Sequence, residues 1–121
     1  MNKILIIEDH ADMRELLAWQ IELMGFMPIS AKQGREGVEK ALTEKPQLII
    51  MDIMMPGMDG YETTRQIRTN VHHQRLPIIA LTAKAMKGDR EKCLEAGASD
   101  YLAKPVDTDQ LFSVLRTWVH R

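Results

Sequence analysis

The stretch from Leu48 to Gly60 constrains this chain most. An apolar run of strand length, Leu48-Ile49-Ile50-Met51, stops on a carboxylate, Asp52, and passes at once into turn chemistry at Pro56-Gly57 and Asp59-Gly60. Continuous apolar runs of this length suit strands buried on both faces, so Asp52 marks the point where the strand leaves the core. In open α/β sheets ligands bind beyond the carboxyl ends of the strands, which is where this acid falls. Taken alone, the segment also reads as a strand whose aspartate merely caps a turn. The other strands decide between the two.

Two further runs share the pattern. Ile4 to Ile7 is β-branched and apolar and ends in Glu8-Asp9-His10, and Pro77 to Leu81 ends on Thr82. Phe26 to Ala31 reads as a short strand, but Pro28 lacks a ladder donor and assigns it to an edge. Ser99 to Ala103 is a fifth strand, followed by Lys104-Pro105. Between them the spacing predicts helices. Met13, Leu16, Leu17, Ile21 and Met24 mark one over Ala11 to Met24, stopped by Gly25. Gly34 to Leu42 is a second, weakened by Gly37 and closed by Pro46. Tyr61 to Arg68 is a third, with Asp59 as N-cap, and Asn70 to Arg75 is polar and irregular. Asp89 to Ala96, with Cys93, Leu94 and Ala96 inward, is a fourth with an indistinct start over Lys84 to Gly88. The last, capped by Asp107 or Thr108, runs through Leu111, Phe112, Val114, Leu115, Trp118 and Val119.

Five strands alternating with five helices imply an α/β fold, a parallel sheet covered on both faces by right-handed crossovers. The edge assignment of Pro28 suits the doubly wound order 2-1-3-4-5. In that order strands one and three are neighbours, so Glu8 and Asp9 gather beside Asp52 at the switch point, with Thr82 and Lys104 arriving from strands four and five.

Composition narrows the functional classes. With 121 residues, 45% of them hydrophobic, one domain over 1–121 is expected. A net charge of −1 supplies no basic stripe for direct nucleic-acid binding and no polybasic segment for a membrane surface. The single cysteine, Cys93, excludes an internal disulfide and a cysteine-based zinc site. No apolar run approaches the ~20 residues of a membrane span, and the expected setting is soluble and cytoplasmic.

Three carboxylates at one rim repel each other unless a cation shares them. Magnesium takes oxygen ligands and works with one or two carboxylates plus phosphate oxygens, a description that Glu8, Asp9 and Asp52 fit. His72-His73 is an adjacent pair in a polar loop, a spacing unsuited to one helix face. Thr82 and Lys104 supply a hydroxyl and a mobile positive charge, donors suited to phosphate oxygens. A carboxylate among such groups can act as a nucleophile, which makes phosphoryl transfer onto Asp52 the expected reaction. Each residue also has an ordinary reading. Lys104 can be a solvated side chain, Thr82 a strand-end hydroxyl, and Glu8-Asp9 a helix cap.

On Glu8-Asp9, Asp52-Ile53-Met54-Met55-Pro56-Gly57-Met58-Asp59-Gly60, Leu81-Thr82-Ala83 and Gly97 through Lys104-Pro105, the chain resembles the receiver domains of bacterial two-component response regulators, from Ile4 to Val119. The resemblance implies a flavodoxin-like fold with Asp52 as phosphoacceptor. It implies magnesium held by Glu8, Asp9, Asp52 and the main-chain carbonyl of Met54. Lys104 would pair with the phosphoryl group, Thr82 and Tyr101 would form a switch pair, and the bond before Pro105 would be cis. The Tyr101 hydroxyl predicts partial exposure, and an ordinary core aromatic is the alternative reading of this residue. Met54 and Lys84 occupy positions that affect phosphoryl lifetime in the family. Neither is an obvious base for orienting water, so slow dephosphorylation is expected.

The implied function is a phosphorelay receiver, not a metabolic enzyme. It would be fed by a sensor histidine kinase or histidine phosphotransfer domain and read by a downstream protein or attached domain. Two other readings compete. An aspartyl-nucleophile phosphohydrolase is disfavoured because the position two after Asp52 is Met54 rather than an acid. A phosphorylation-independent interaction module is disfavoured because no member of the expected site is missing.

Overall fold

The computed structural model describes residues 2–55, 57–82 and 89–119. Its five strands are β1 (Lys3–Ile7), β2 (Met27–Ala31), β3 (Leu48–Asp52), β4 (Ile78–Thr82) and β5 (Asp100–Ala103). They form one parallel sheet in the order β2-β1-β3-β4-β5. The helices are α1 (Ala11–Leu23), α2 (Gly34–Thr43), α3 (Gly60–Arg68), α4 (Asp89–Ala96) and α5 (Thr108–Val119). The predicted α/β class and strand order are therefore observed. β2 pairs only with β1, where the missing N–H of Pro28 is tolerated.

Alternation along the strands divides the core in two. Ile4, Ile6, Ile50 and Leu81 pack with Leu17 and Ile21 of α1 and Leu111 and Leu115 of α5. Leu5, Ile7, Ile49 and Met51 pack on the opposite face with Ala41 of α2 and Ile67 of α3. Met51 thus lies off the face that carries Ile50, as the two-residue period requires. Helix α2 approaches this second face closely, and a Cβ on Gly37 would overlap the Ile7 side chain. The glycine that weakens α2 on propensity is what lets it lie down on β1.

Four apolar positions on the patterned helix faces differ from the expectation. Leu16, Leu42, Leu94 and Phe112 are exposed, because the apolar arc of each helix is wider than the strip the sheet covers. Phe112 is partly screened by Arg116, whose guanidinium carbon stands 5.5 Å from the ring centre. The segment expected to be irregular contains a short 3-10 turn, Val71–His73, opened by Asn70, whose Oδ1 accepts from His72 N at 2.8 Å. Asp59 caps α3, its Oδ1 accepting from Glu62 N at 2.9 Å, and Asp107 serves α5 similarly through Asp109 N. The indistinct start of the fourth helix, 84–88, lies outside the described residues.

Two side chains fasten the far half of the sheet. The Arg68 guanidinium donates to the carbonyls of His73, Leu76 and Gly97 and to Ser99 Oγ, joining α3 to the approaches of β4 and β5. Trp118 Nε1 donates to Asp100 Oδ2 at 3.1 Å, which ties α5 to β5.

Gly60 holds the turn after Asp52 against β3, since its Cβ position lies 2.5 Å from Ile53 Cα and 2.6 Å from Asp52 O, both backbone atoms. Backbone cannot yield as a side-chain tip does, so Gly60→Ala is expected to destabilise by about 3 kcal/mol. At a typical urea dependence its midpoint falls by roughly 1–2 M. An unchanged midpoint would show that the turn can move away from the strand.

Candidate functional site

Glu8 follows β1 by one residue and Asp52 ends β3. Because β1 and β3 are neighbours, with Ile7 paired to Met51, both acids emerge side by side at the same rim. Glu8 is fully buried and Asp52 is 3% exposed, whereas Asp9 faces solvent. One carboxylate oxygen from each of the three lies within 4.8 Å of the others.

Lys104 follows β5 and reaches back across the rim. Its Nζ stands 2.8 Å from Glu8 Oε1 and 3.3 Å from Asp52 Oδ1. Its own N–H donates to Thr82 O at 2.7 Å, and the next peptide, Lys104-Pro105, is cis. Backbone N–H groups complete the acids' partners: His10 N donates to Glu8 Oε2 at 3.2 Å and Met54 N to Asp52 Oδ1 at 3.1 Å. Arg14 was missed in the sequence. Its Nη1 donates to the carbonyls of Glu8 and Asp9 and so fixes the loop that carries both acids. A cation in the first turn of α1 opposes the helix dipole, and that was the available signal that something else holds it there.

The electrostatics follow from two buried acids sharing one ammonium. Burial, then the hydrogen bond and charge of Glu8, push Asp52 up to about 7, against the pull of Lys104. Burial also works upward on Glu8, but the hydrogen bonds from Lys104, Asp52 and His10 bring it below its ordinary value. Burial opposes the charge on Lys104, yet the two carboxylates hold it above the usual lysine range. Glu8 has the shorter contact with the ammonium, and of the two acids Asp52 is the one whose hold on a proton is strengthened. With both buried acids ionised, Glu8 and Asp52 are one positive charge short beside Lys104, a deficit that a proton or a cation offsets.

These groups line a cleft of about 460 Å³, whose apolar wall includes Met13, Leu16 and Met54. The Met54 side chain is 72% exposed at its edge. An all-oxygen donor set with a charge deficit suits a hard divalent ion, and the Glu8, Asp9 and Asp52 cluster is compatible with metal binding.

Thr82 and Tyr101 stand apart from this cleft. Asp52 is registered with Leu81, so alternation places Thr82 on the other face of β4. Its Oγ1 is buried and has no hydrogen-bond partner among the described residues. Tyr101 is half-buried on the same face, one strand over, against Ile53, Ala80, Cys93 and Ala98. Lys84 lies outside the described residues. The His72-His73 pair is far from these acids, at the opposite ends of the strands.

Strand order and the acid-lysine rim together define a class: single α/β sheets that carry an ionic site at the β1/β3 switch point. The model of the response regulator receiver domain matches residues 4–116, and the chain belongs to that family. It is 36% identical over 115 residues to protein PilH of Pseudomonas aeruginosa, covering 95% of each. It is 43% identical over 106 residues to the alkaline phosphatase synthesis transcriptional regulatory protein PhoP of Bacillus subtilis, covering 86% of this chain and 42% of that protein. The chain thus spans about half the length or less of some relatives, including 54% of response regulator ArlR of Staphylococcus saprophyticus. Among solved structures it superposes with a TM-score of 0.92 on the receiver domain of a sensor histidine kinase of Pseudomonas aeruginosa. That structure has magnesium coordinated in its active-site cleft; the two are 38% identical, with 99% and 98% of the chains covered. The fold is that of the CheY-like receivers, and the homologues are signalling proteins. Among the described residues no helix is long and apolar enough to cross a membrane.

Proposed function

We propose that residues 1–121 act as one phosphorelay receiver in the cytoplasm, taking a phosphoryl group onto Asp52 from a histidine kinase or histidine phosphotransfer domain. The observation that carries this reading is the buried Asp52 carboxylate, 3.3 Å from the Lys104 ammonium in a cleft shared with Glu8 and Asp9.

In the proposed step an Asp52 oxygen attacks phosphorus in line. The O–P bond forms as the donor's P–N bond breaks, and the bonding pair leaves on the donor imidazole. Glu8, Asp9, Asp52 and the Met54 carbonyl would hold magnesium, which supplies positive charge to the transferring oxygens. The Lys104 ammonium, already at Asp52, pairs with the phosphoryl oxygens. The hydroxyl of Thr82, without a partner among the described residues, then gains an acceptor. The phosphoryl group extends past the strand ends, where the division between sheet faces no longer separates Thr82 from Asp52. Movement of Thr82 frees space toward Tyr101, whose half-buried ring follows inward and alters the surface read by a downstream protein or attached domain. The new dianion shifts that surface only by its differential interaction with the two states. Met54 offers no base for water, so self-catalysis ends in slow hydrolysis rather than phosphatase turnover.

The test is mass analysis after incubation with acetyl phosphate and magnesium. One phosphoryl group is expected, mapped to Asp52 and lost with EDTA. Asp52→Asn is expected to remain unmodified, and an equal mass gain in that variant would remove Asp52 as the acceptor.

A further inference from the structure

We propose that a second cavity, at the end of the sheet opposite Asp52, binds a small organic phosphate: a phosphate ester carried on a flat, largely apolar body. The cavity, of about 660 Å³, lies where the chain enters β3 and β4, and its volume is in the range of small-molecule sites. Lys45, His72 and Arg75 are exposed around it, and Pro46, Leu76 and Pro77 supply apolar wall. Among the described residues no Asp or Glu side chain lines it. On a chain with a net charge of −1, such a concentration of one sign is a local feature rather than a reflection of composition.

The basic groups here are not needed elsewhere. Among the described residues neither Lys45 nor Arg75 takes part in an ion pair, and the nearest acid in sequence, Glu44, pairs with Lys3 at 3.6 Å. Complementing the helix dipoles does not explain them either. The last turn of α2 has its own cation in Lys40, which donates to Ser30 O, and α3 has Arg68. Lys45 also occupies a left-handed backbone position, φ 51°, just past the C-cap of α2, where glycine would sit without strain. The chain thus carries a long cationic side chain at a position whose backbone favours having none. Cations around an apolar wall select a ligand that is charged at one end and flat at the other, rather than a free inorganic ion.

The site shares no residue with the Asp52 cleft, so its test needs neither magnesium nor a phosphodonor and is independent of the phosphorelay reading. Backbone amide spectra of the ¹⁵N-labelled full chain are recorded in EDTA during titration with adenosine monophosphate, adenosine or inorganic phosphate. Adenosine monophosphate is expected to shift the amides of Leu42, Gln47, His72, Arg75 and Leu76 saturably below about 10 mM. Adenosine and phosphate alone should each bind more weakly by about fivefold or more. The double variant Lys45→Gln/Arg75→Gln, both exposed positions, should weaken binding of the monophosphate by a similar factor at unchanged melting temperature. Lys32→Gln, an exposed cation elsewhere, should not. Absence of saturable shifts, equal binding of adenosine, shifts spread over every exposed lysine and arginine, or an unaffected double variant would each overturn the proposal.

Discussion

Lys104→Met is expected to lower the unfolding free energy by about 3 kcal/mol at pH 8 in EDTA, and to slow phosphorylation by acetyl phosphate about 100-fold. The first effect arises because Glu8 and Asp52 remain buried after the ammonium is gone, at 0% and 3% exposure. Breaking a buried ion pair by removing one partner costs more than the pair itself contributes, since a desolvated charge is left uncompensated. The Lys104 side chain is 22% exposed and the acids can take up a proton, so the loss falls at the lower end of the usual range. Proton uptake also gives the deficit a pH dependence. At pH 5.5 Asp52 already carries a proton in the native protein, and the variant's deficit should shrink to about 1 kcal/mol. Urea midpoints at the two pH values measure this. Equal deficits would mean that the lysine acts through its aliphatic stem. Millimolar magnesium should restore much of the lost stability without restoring phosphorylation, because the cation replaces charge but not the donor that meets the phosphoryl oxygens.

The second large effect concerns magnesium itself. With Asp52 pushed up from 3.8 to about 7, the folded protein holds a proton that the unfolded chain has lost by mid-range pH. Its contribution to stability is therefore fully present below about pH 4 and is lost as pH rises through 7, with a ceiling of about 4 kcal/mol that sharing with Glu8 reduces. Magnesium competes for the same oxygens and reverses the trend. Its apparent affinity should fall about tenfold per pH unit below 7, and the rise in melting temperature it causes should be larger at pH 8 than at pH 6. Asn at position 52 resembles the protonated acid in shape and hydrogen bonding. Asp52→Asn is accordingly expected to be more stable than the native protein at pH 8 in EDTA and to lose the pH dependence of magnesium binding. Calorimetric titration between pH 5.5 and 8.5 decides it, and an affinity constant across that span would place the proton elsewhere.

Much of the architecture was readable because its signals are local. Apolar runs that end on Glu8, Asp52 and Thr82 mark strands and their exits together, and Pro28 assigned an edge that suits the common doubly wound order, which the sheet adopts. Gathering Glu8, Asp9, Asp52 and Lys104 into one site needed only that order and the parallel direction of the strands. What the sequence hid depends on distances across the fold. Gly37 reads as a flaw in a helix until Ile7 is seen beneath it, and nothing in the sequence announces the four acceptors that Arg68 reaches. Leu94 and Phe112 satisfy helical spacing but stand outside the strip that the sheet covers, because periodicity fixes a direction and not the width of the surface it meets. The placement of Thr82 on the face away from Asp52 likewise depends on register, which no residue type announces.

The Glu8–Lys104 contact joins residues 96 apart in the chain. A bond of that span closes nearly the whole polypeptide into a loop, so no fragment lacking either end can hold the cleft's charge balance. The ammonium is also carried by β5, a four-residue strand at the sheet's edge, where fraying begins most easily. When that edge frays, two buried acids at the centre lose their counter-charge together. The charge balance of the cleft, and with it the phosphoryl acceptance proposed for Asp52, is thereby tied to completion of the last strand.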